Sequence, residues 1–231
     1  MNQKGIIFDL DDTLYSEKDY VISGFMNVAV YLEEKYDINY GDSFMFLKSR
    51  FEANGREQVF DALLEKFMSK KNEFELTQII NNMVEVYRGH VPNIKLDIEI
   101  IDILKKIKKL GWQMSIVTDG LPSMQKNKIS SLGLELLVDN IIYCWEHNSP
   151  KPSSLGFKIA SEKMNIDIRN CIVVGDHPEK DIVPARKLNA RAYRIKTERF
   201  GHLDANKIYP PLKTFSSLAD FFQEVVKYAY K

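Results

Sequence analysis

The stretch Ile6-Ile7-Phe8-Asp9-Leu10-Asp11-Asp12 constrains this chain more than any other. Three apolar residues in a row read as a short buried strand, and the strand runs straight into three carboxylates. Ionised carboxylates withdrawn from water are costly unless something compensates them, and three within four residues also repel one another. Such a strand must end either in a solvated turn or beside a cation.

The pattern after this strand is helical. Val21, Ile22, Phe25, Met26, Ala29, Leu32 and Tyr36 recur at helical spacing, and Gly41-Asp42 interrupts them. Phe44, Leu47 and Phe51 mark a second helix, with a turn at Asn54-Gly55-Arg56-Glu57. Val59 to Phe67 and Leu76 to Tyr87 mark two more, so residues 16–90 read as helix without a convincing strand.

Beyond Gly89-His90-Val91-Pro92 the chain alternates. A helix carrying Ile101, Leu104 and Ile107 stops at Gly111, and the strand Trp112–Thr118 follows. Then come a helix over 122–131, the strand Asn140–Trp145, a helix over 153–164 and the strand Cys171–Asp176. A helix from about Asp181, with Pro184 in its first turn, precedes the strand Arg191–Ile195. A last helix starts after Ser216 or Ser217. Strands alternating with helices imply a mostly parallel sheet covered on both faces, here with a helical block inserted after its first strand.

The 231 residues suffice for a real hydrophobic core, and 45% hydrophobic with 28% charged residues is ordinary globular composition. Lys plus Arg number 32 and Asp plus Glu 32, a zero net charge that argues against a general nucleic-acid binder. Cys144 and Cys171 sit in apolar runs and read as buried, reduced thiols. The first apolar stretch is too short for a signal core and no run approaches a membrane span, so the expectation is a soluble cytoplasmic protein that engages no membrane.

In an open parallel sheet, ligands bind beyond the carboxyl ends of the strands. One edge would therefore collect Asp9, Asp11, Thr118, Lys151, Asp176 and Asp181. Oxygen ligands in this number suit a hard cation such as Mg²⁺, and Lys151 supplies a point charge for an anion. Backbone N–H groups of Asp119 and Gly120, near a helix start, are suited to phosphate oxygens.

These segments resemble the four motifs of the haloacid dehalogenase superfamily of hydrolases: Phe8–Leu14 the first, Ser115–Gly120 the second, Lys151-Pro152 the third and Val173–Asp181 the fourth, in the same order along the chain. The helical insert resembles the cap that many of its phosphatases carry. The resemblance implies an α/β fold, a Rossmann-like, mostly parallel sheet with helices on both faces (residues 1–15 and 93–231) and an all-helical cap (residues 16–92). It also implies roles. Asp9 would be the nucleophile, forming an aspartyl-phosphate, and Asp11 would protonate the leaving oxygen and then deprotonate water. Asp9, the carbonyl of Asp11 and Asp176 would bind Mg²⁺, with Asp181 in or just outside its coordination shell. Thr118 and Lys151, with the Asp119 and Gly120 amides, would hold the phosphoryl group.

The expected reaction is Mg²⁺-dependent hydrolysis of a small phosphorylated metabolite, a sugar phosphate, nucleotide or similar, by a monomer or homodimer. A haloacid dehalogenase shares the aspartate nucleophile but needs neither Asp11 nor Asp176, and a phosphomutase keeps both. A receiver-like signalling domain would lack the large insert, and a non-catalytic phosphate-binding relative would have lost one of the key residues. Asp12 and Asp119 also read as turn or capping residues, Asp181 as a possible helix N-cap, and His147 and His177 as loop histidines. In the insert, Arg50 and Arg56 are either solvated or readers of the substrate's remaining groups.

Overall fold

The computed structural model describes residues 4–69 and 71–226. The chain ends inside the expected outer ranges, residues 1–3 and 227–231, lie outside the described residues, as does residue 70. The chain divides into two compact units, Met1–Glu17 with Lys95–Lys231, and Lys18–Ile94.

The first unit is built on a six-stranded sheet whose pairings are all parallel. In chain order the strands are β1 (Gly5–Phe8), β2 (Gln113–Thr118), β3 (Asn140–Tyr143), β4 (Cys171–Gly175), β5 (Arg191–Ile195) and β6 (Thr214–Phe215), arranged β3-β2-β1-β4-β5-β6. β1 lies in the middle, with Phe8 level with Ile116 on one side and Val174 on the other. Its four residues are all buried, as expected of a strand covered on both faces. Alternate residues serve opposite faces. Ile7, Val117, Val173 and Ala192 join Phe157, Ala160 and Met164 in one apolar cluster. On β5, Tyr193 packs instead against Phe215 and Phe221.

The connecting helices are α5 (Ile98–Lys109), α6 (Pro122–Ser131), α7 (Leu155–Lys163), α8 (Val183–Lys187) and α9 (Leu218–Phe221). Ser217 caps α9 by accepting the N–H of Asp220. Two expected bounds shift and one further strand appears. The third strand ends at Tyr143, because Cys144–His147 curl into a tight turn. Helical backbone before α8 begins at Pro178 as a wide turn over Pro178–Ile182. The further strand is β6: at two residues it shows no period in the sequence, and it is held by bonds to β5 and the residue after it, Arg194 N–H to Lys213 O and Lys196 N–H to Phe215 O. Burial pushes the Cys144 and Cys171 thiols up to about 12, so neither is a reactive thiolate.

The second unit contains the four remaining helices, α1 (Glu17–Tyr36), α2 (Tyr40–Asn54), α3 (Val59–Met68) and α4 (Glu73–Gly89). Its core joins Val21, Phe25, Val28 and Leu32 of α1 to Leu47, Leu63 and Met83 of the others. Phe25 sits among the rings of Phe51, Phe60 and Tyr87, 5.8–6.3 Å away. Gly24 makes this possible, since a Cβ there would meet the Tyr87 ring at 2.4 Å. α4 starts with a capping box in which Asn72 and Glu75 exchange side chain-to-backbone bonds. No described helix is long and apolar enough to cross a membrane.

Candidate active site

The carboxyl ends of β1, β2 and β4 meet where the sheet order reverses, the place where an open α/β sheet leaves a crevice. The buried ammonium of Lys151 lies in this crevice, on the loop after β3. It donates to Asp9 Oδ1 at 2.5 Å and to Asp181 Oδ1 at 2.7 Å. Its own backbone N–H is held by Asp119 Oδ1 at 3.0 Å, so Asp119 anchors the lysine loop and does not cap α6. Asp181 also accepts the His177 N–H through Oδ2 at 3.0 Å. Both its oxygens are engaged by the protein, so it acts as a strut inside the wide turn; the capping position belongs to His177. Gly175 leaves the room, because a Cβ there would lie 2.5 Å from the Asp181 carboxyl carbon.

Asp9, Asp176 and Asp181 are buried and place one carboxylate oxygen each within 4.8 Å of the others. Burial, then Asp181 and Asp11, push the Asp9 carboxyl up to about 7 against the pull of Lys151. Burial, Asp9, Asp181 and Asp12 push Asp176 up to about 9, with a bond from Thr197 opposing. Lys151 remains an ammonium: burial disfavours its charge, but Asp181 and Asp9 more than restore it. Two carboxylates that resist ionisation beside one lysine form an all-oxygen donor set short of positive charge. That fits a hard divalent cation.

Asp11 is treated differently. Its Oδ1 accepts from Lys128 Nζ at 2.7 Å and Tyr15 Oη at 2.6 Å, and its Oδ2 from Gln125 Nε2 at 2.8 Å. Burial opposes its ionisation, but Lys128, Tyr15 and Gln125 outweigh it and hold the carboxyl below the usual range. Gln125 Nε2 also lies 2.5 Å from Thr118 Oγ1 at the end of β2. Asp12, at φ 58°, shapes the turn into α1 by accepting the Glu17 N–H at 2.8 Å. Gly120, at φ 121°, holds a backbone conformation that a side chain would strain.

The eight expected core residues thus gather at one edge: Asp9, Asp11, Thr118, Asp119, Gly120, Lys151, Asp176 and Asp181. Arg50 and Arg56 belong to the helical unit. Arg50 is half-buried on α2 with its Nε making no hydrogen bond, and Arg56 is exposed in the turn after it. Several contributors were not anticipated. Lys128 and Gln125 of α6 are one group. Arg194 of β5 is another: it donates to the carbonyls of Asp176 (2.9 Å), Leu203 (2.8 Å) and Phe200 (2.5 Å), fastening the loop after β5 beside β4. That loop supplies Arg199, which pairs with Asp12 and Glu17, and Phe200, which packs on His177. His177 Nδ1 accepts the N–H groups of Glu179 and Lys180, so its ring proton sits on Nε2. Burial also lowers its pKa, which keeps the ring neutral.

This edge and its fold define a class. Over residues 6–195 the chain matches the family described as haloacid dehalogenase-like hydrolase, and it belongs to that family. Among curated relatives, glyceraldehyde 3-phosphate phosphatase of Methanocaldococcus jannaschii is 26% identical over 87% of this chain and 88% of its own. Ribulose-1,5-bisphosphate 5-phosphatase of Halopiger xanaduensis is 23% identical over 78% and 79%. Among solved structures, a 2-haloacid dehalogenase from Pseudomonas syringae superposes with a TM-score of 0.65 at 19% identity, covering 98% of this chain and 99% of that one. The last likeness speaks for the fold alone.

Proposed function

We propose that the chain is a Mg²⁺-dependent phosphomonoester hydrolase acting through an aspartyl-phosphate on Asp9. The observation that carries this reading is the pair Asp9 and Asp11 at the centre of the sheet, one gripped by Lys151 and the other by α6. A dehalogenase has no use for a second aspartate there, nor for a carboxylate at Asp176.

In this reading Asp9 attacks phosphorus while the ester P–O bond breaks, and the leaving oxygen takes a proton from Asp11. Water then attacks phosphorus, gives its proton to Asp11, and releases Asp9 and inorganic phosphate. Lys151, Thr118 and the amides of Asp119 and Gly120 hold the phosphoryl oxygens, so positioning and charge stabilisation do most of the catalytic work. Mg²⁺, held by Asp9, Asp176 and the Asp11 carbonyl, supplies the positive charge that the buried carboxylates lack. Asp181 keeps Lys151 and the wide turn in place beside it.

The relatives named for glyceraldehyde 3-phosphate and ribulose 1,5-bisphosphate support a phosphorylated sugar or similar small metabolite as substrate. Residues 16–92 serve as the cap, with Arg50 and Arg56 contributing to selectivity. A cytoplasmic site of action suits such a substrate. The test is phosphate release from a metabolite panel including triose and pentose phosphates, with p-nitrophenyl phosphate as reference, ranked by kcat/KM. Asp9→Asn should stay folded and lose at least about 10⁴-fold in kcat; turnover at the wild-type rate would sink the mechanism. Isomerisation without phosphate release would point to a phosphomutase.

A further inference from the structure

Two of the three side-chain donors on Asp11 come from one helix. Gln125 and Lys128 stand three residues apart on α6 and so share a face, which Ile129 and Leu132 complete below them. That face is buried. Lys128 is 2% exposed and Gln125 is 2% exposed, an unusual depth for either side chain. A buried ammonium is costly unless matched, and here Asp11 at 2.7 Å and Glu17 at 3.7 Å match it.

The chemistry of Gln125 fixes a direction. A carboxylate only accepts, so the group facing Asp11 Oδ2 is the amide nitrogen. The same nitrogen donates to Thr118 Oγ1. The threonine hydroxyl is thereby an acceptor on that side, and its own proton is free to point elsewhere.

We infer that Gln125 and Lys128 are a positioning pair that locks the Asp11 carboxylate and the Thr118 hydroxyl into one fixed relation, an inference that rests on the phosphatase reading above. Neither touches the reacting atoms. Lys128 fixes where the Asp11 carboxyl points, beside the oxygen that leaves as the ester P–O bond breaks, and in this inference that aim outweighs the lysine's charge, which favours the ionised form. Gln125 ties that carboxylate to the hydroxyl whose proton serves a phosphoryl oxygen. The four-motif resemblance assigns no role to either residue.

The two halves of the pair have different kinetic signatures. An alkoxide leaving from a sugar phosphate needs its proton, whereas p-nitrophenolate departs without one. Lys128→Met should therefore lower kcat by about 100-fold on the fastest sugar phosphate of the panel but by less than about 10-fold on p-nitrophenyl phosphate. KM should move by less than about 3-fold on both, and Lys128→Arg should recover part of the loss. Gln125→Met, which frees Thr118, should cost about 10-fold on both esters. Equal losses on the two esters in Lys128→Met, no loss, or a faster rate on the sugar phosphate, as follows if the lysine acts only by keeping Asp11 ionised, would overturn the inference. Circular dichroism checks folding. Should Lys128→Met not fold, Gln125→Met decides: about 10-fold lower kcat at unchanged KM supports the pair, and wild-type kcat defeats it. Wild-type protein inert toward every ester removes the phosphatase reading and this inference with it. Active wild type with unaltered variants removes the inference alone.

Discussion

Two lysines are buried at the same edge of the sheet, and their settings differ. Lys151 sits on a loop between Asp9 and Asp181, whose side chains are 11% and 2% exposed. Lys128 sits on a helix between Asp11 and Glu17, which are 19% and 10% exposed. On the Lys151 side, burial and then the neighbouring carboxylates outweigh the lysine, so Asp9 and Asp176 resist ionisation. The Lys128 side overcompensates, so Asp11 ionises easily. Neighbouring carboxylates on one strand end therefore acquire opposite character from how far burial and other carboxylates are offset by the donors around them.

Replacing each lysine by methionine tests this contrast most severely. Lys151→Met leaves two deeply buried carboxylates facing each other and should destabilise the protein by about 3–5 kcal/mol. Lys128→Met leaves carboxylates nearer water and should cost about 1–3 kcal/mol. Urea denaturation of the cation-free proteins measures both, and an equal cost would erase the distinction.

The raised carboxyls give a second test, with a definite sign. Asp9 and Asp176 bind protons more tightly folded than unfolded, so their contribution to stability is present at low pH. It is lost as pH climbs from about 4 through about 7 and about 9. Stability of the cation-free protein should fall over this range, and Mg²⁺ should counter the fall. Because protons compete with the cation, its apparent affinity should rise with pH, and chelation should abolish turnover. Asp176→Asn should abolish activity yet raise the cation-free Tm at pH 8 by about 2–8 °C, roughly 1–2 kcal/mol. A lower Tm would mean that Asp176 is not strained by its neighbours.

The smallest expected effects lie in the helical unit. Arg50→Ala and Arg56→Ala should change stability by less than about 1 kcal/mol and alter the ranking of substrates more than the rate on p-nitrophenyl phosphate. Unchanged ranking in both variants would remove them from the specificity question.

The Lys151 side was legible because Asp9, Asp119 and Asp176 stand at or just beyond the end of an apolar run, Lys151 and Asp181 lie on the segments that follow such runs, and strand ends point to one edge. The Lys128 side was not. α6 also carries Lys126, which is 55% exposed and pairs with Glu146, and nothing in Ser123–Ser131 taken as a string separates the two lysines. Only the helical face does so: Gln125, Lys128, Ile129 and Leu132 point inward together, a stripe half polar and therefore silent to hydrophobic periodicity. Arg194 hid for the reverse reason. It stands in a short strand, and its three carbonyl partners lie on the adjoining strand end and a loop that follows it. The shifts at Cys144 and Pro178 are tight and wide turns that no propensity marks.

The central place of β1 has a consequence for synthesis. Gly5–Phe8 needs β2 on one side and β4 on the other, and the whole helical insert is made before either. At about 5–20 residues per second, Cys171–Gly175 follows Gly5–Phe8 out of the ribosome by roughly ten to thirty seconds. Until β2 is made, the apolar strand ending in Asp9 and Asp11 has no sheet to enter, and until β4 is made one of its edges stays unpaired, while the insert has all its helices at hand. Nascent chains halted before residue 171 should keep β1 open to proteases or chaperones even when the insert has already folded.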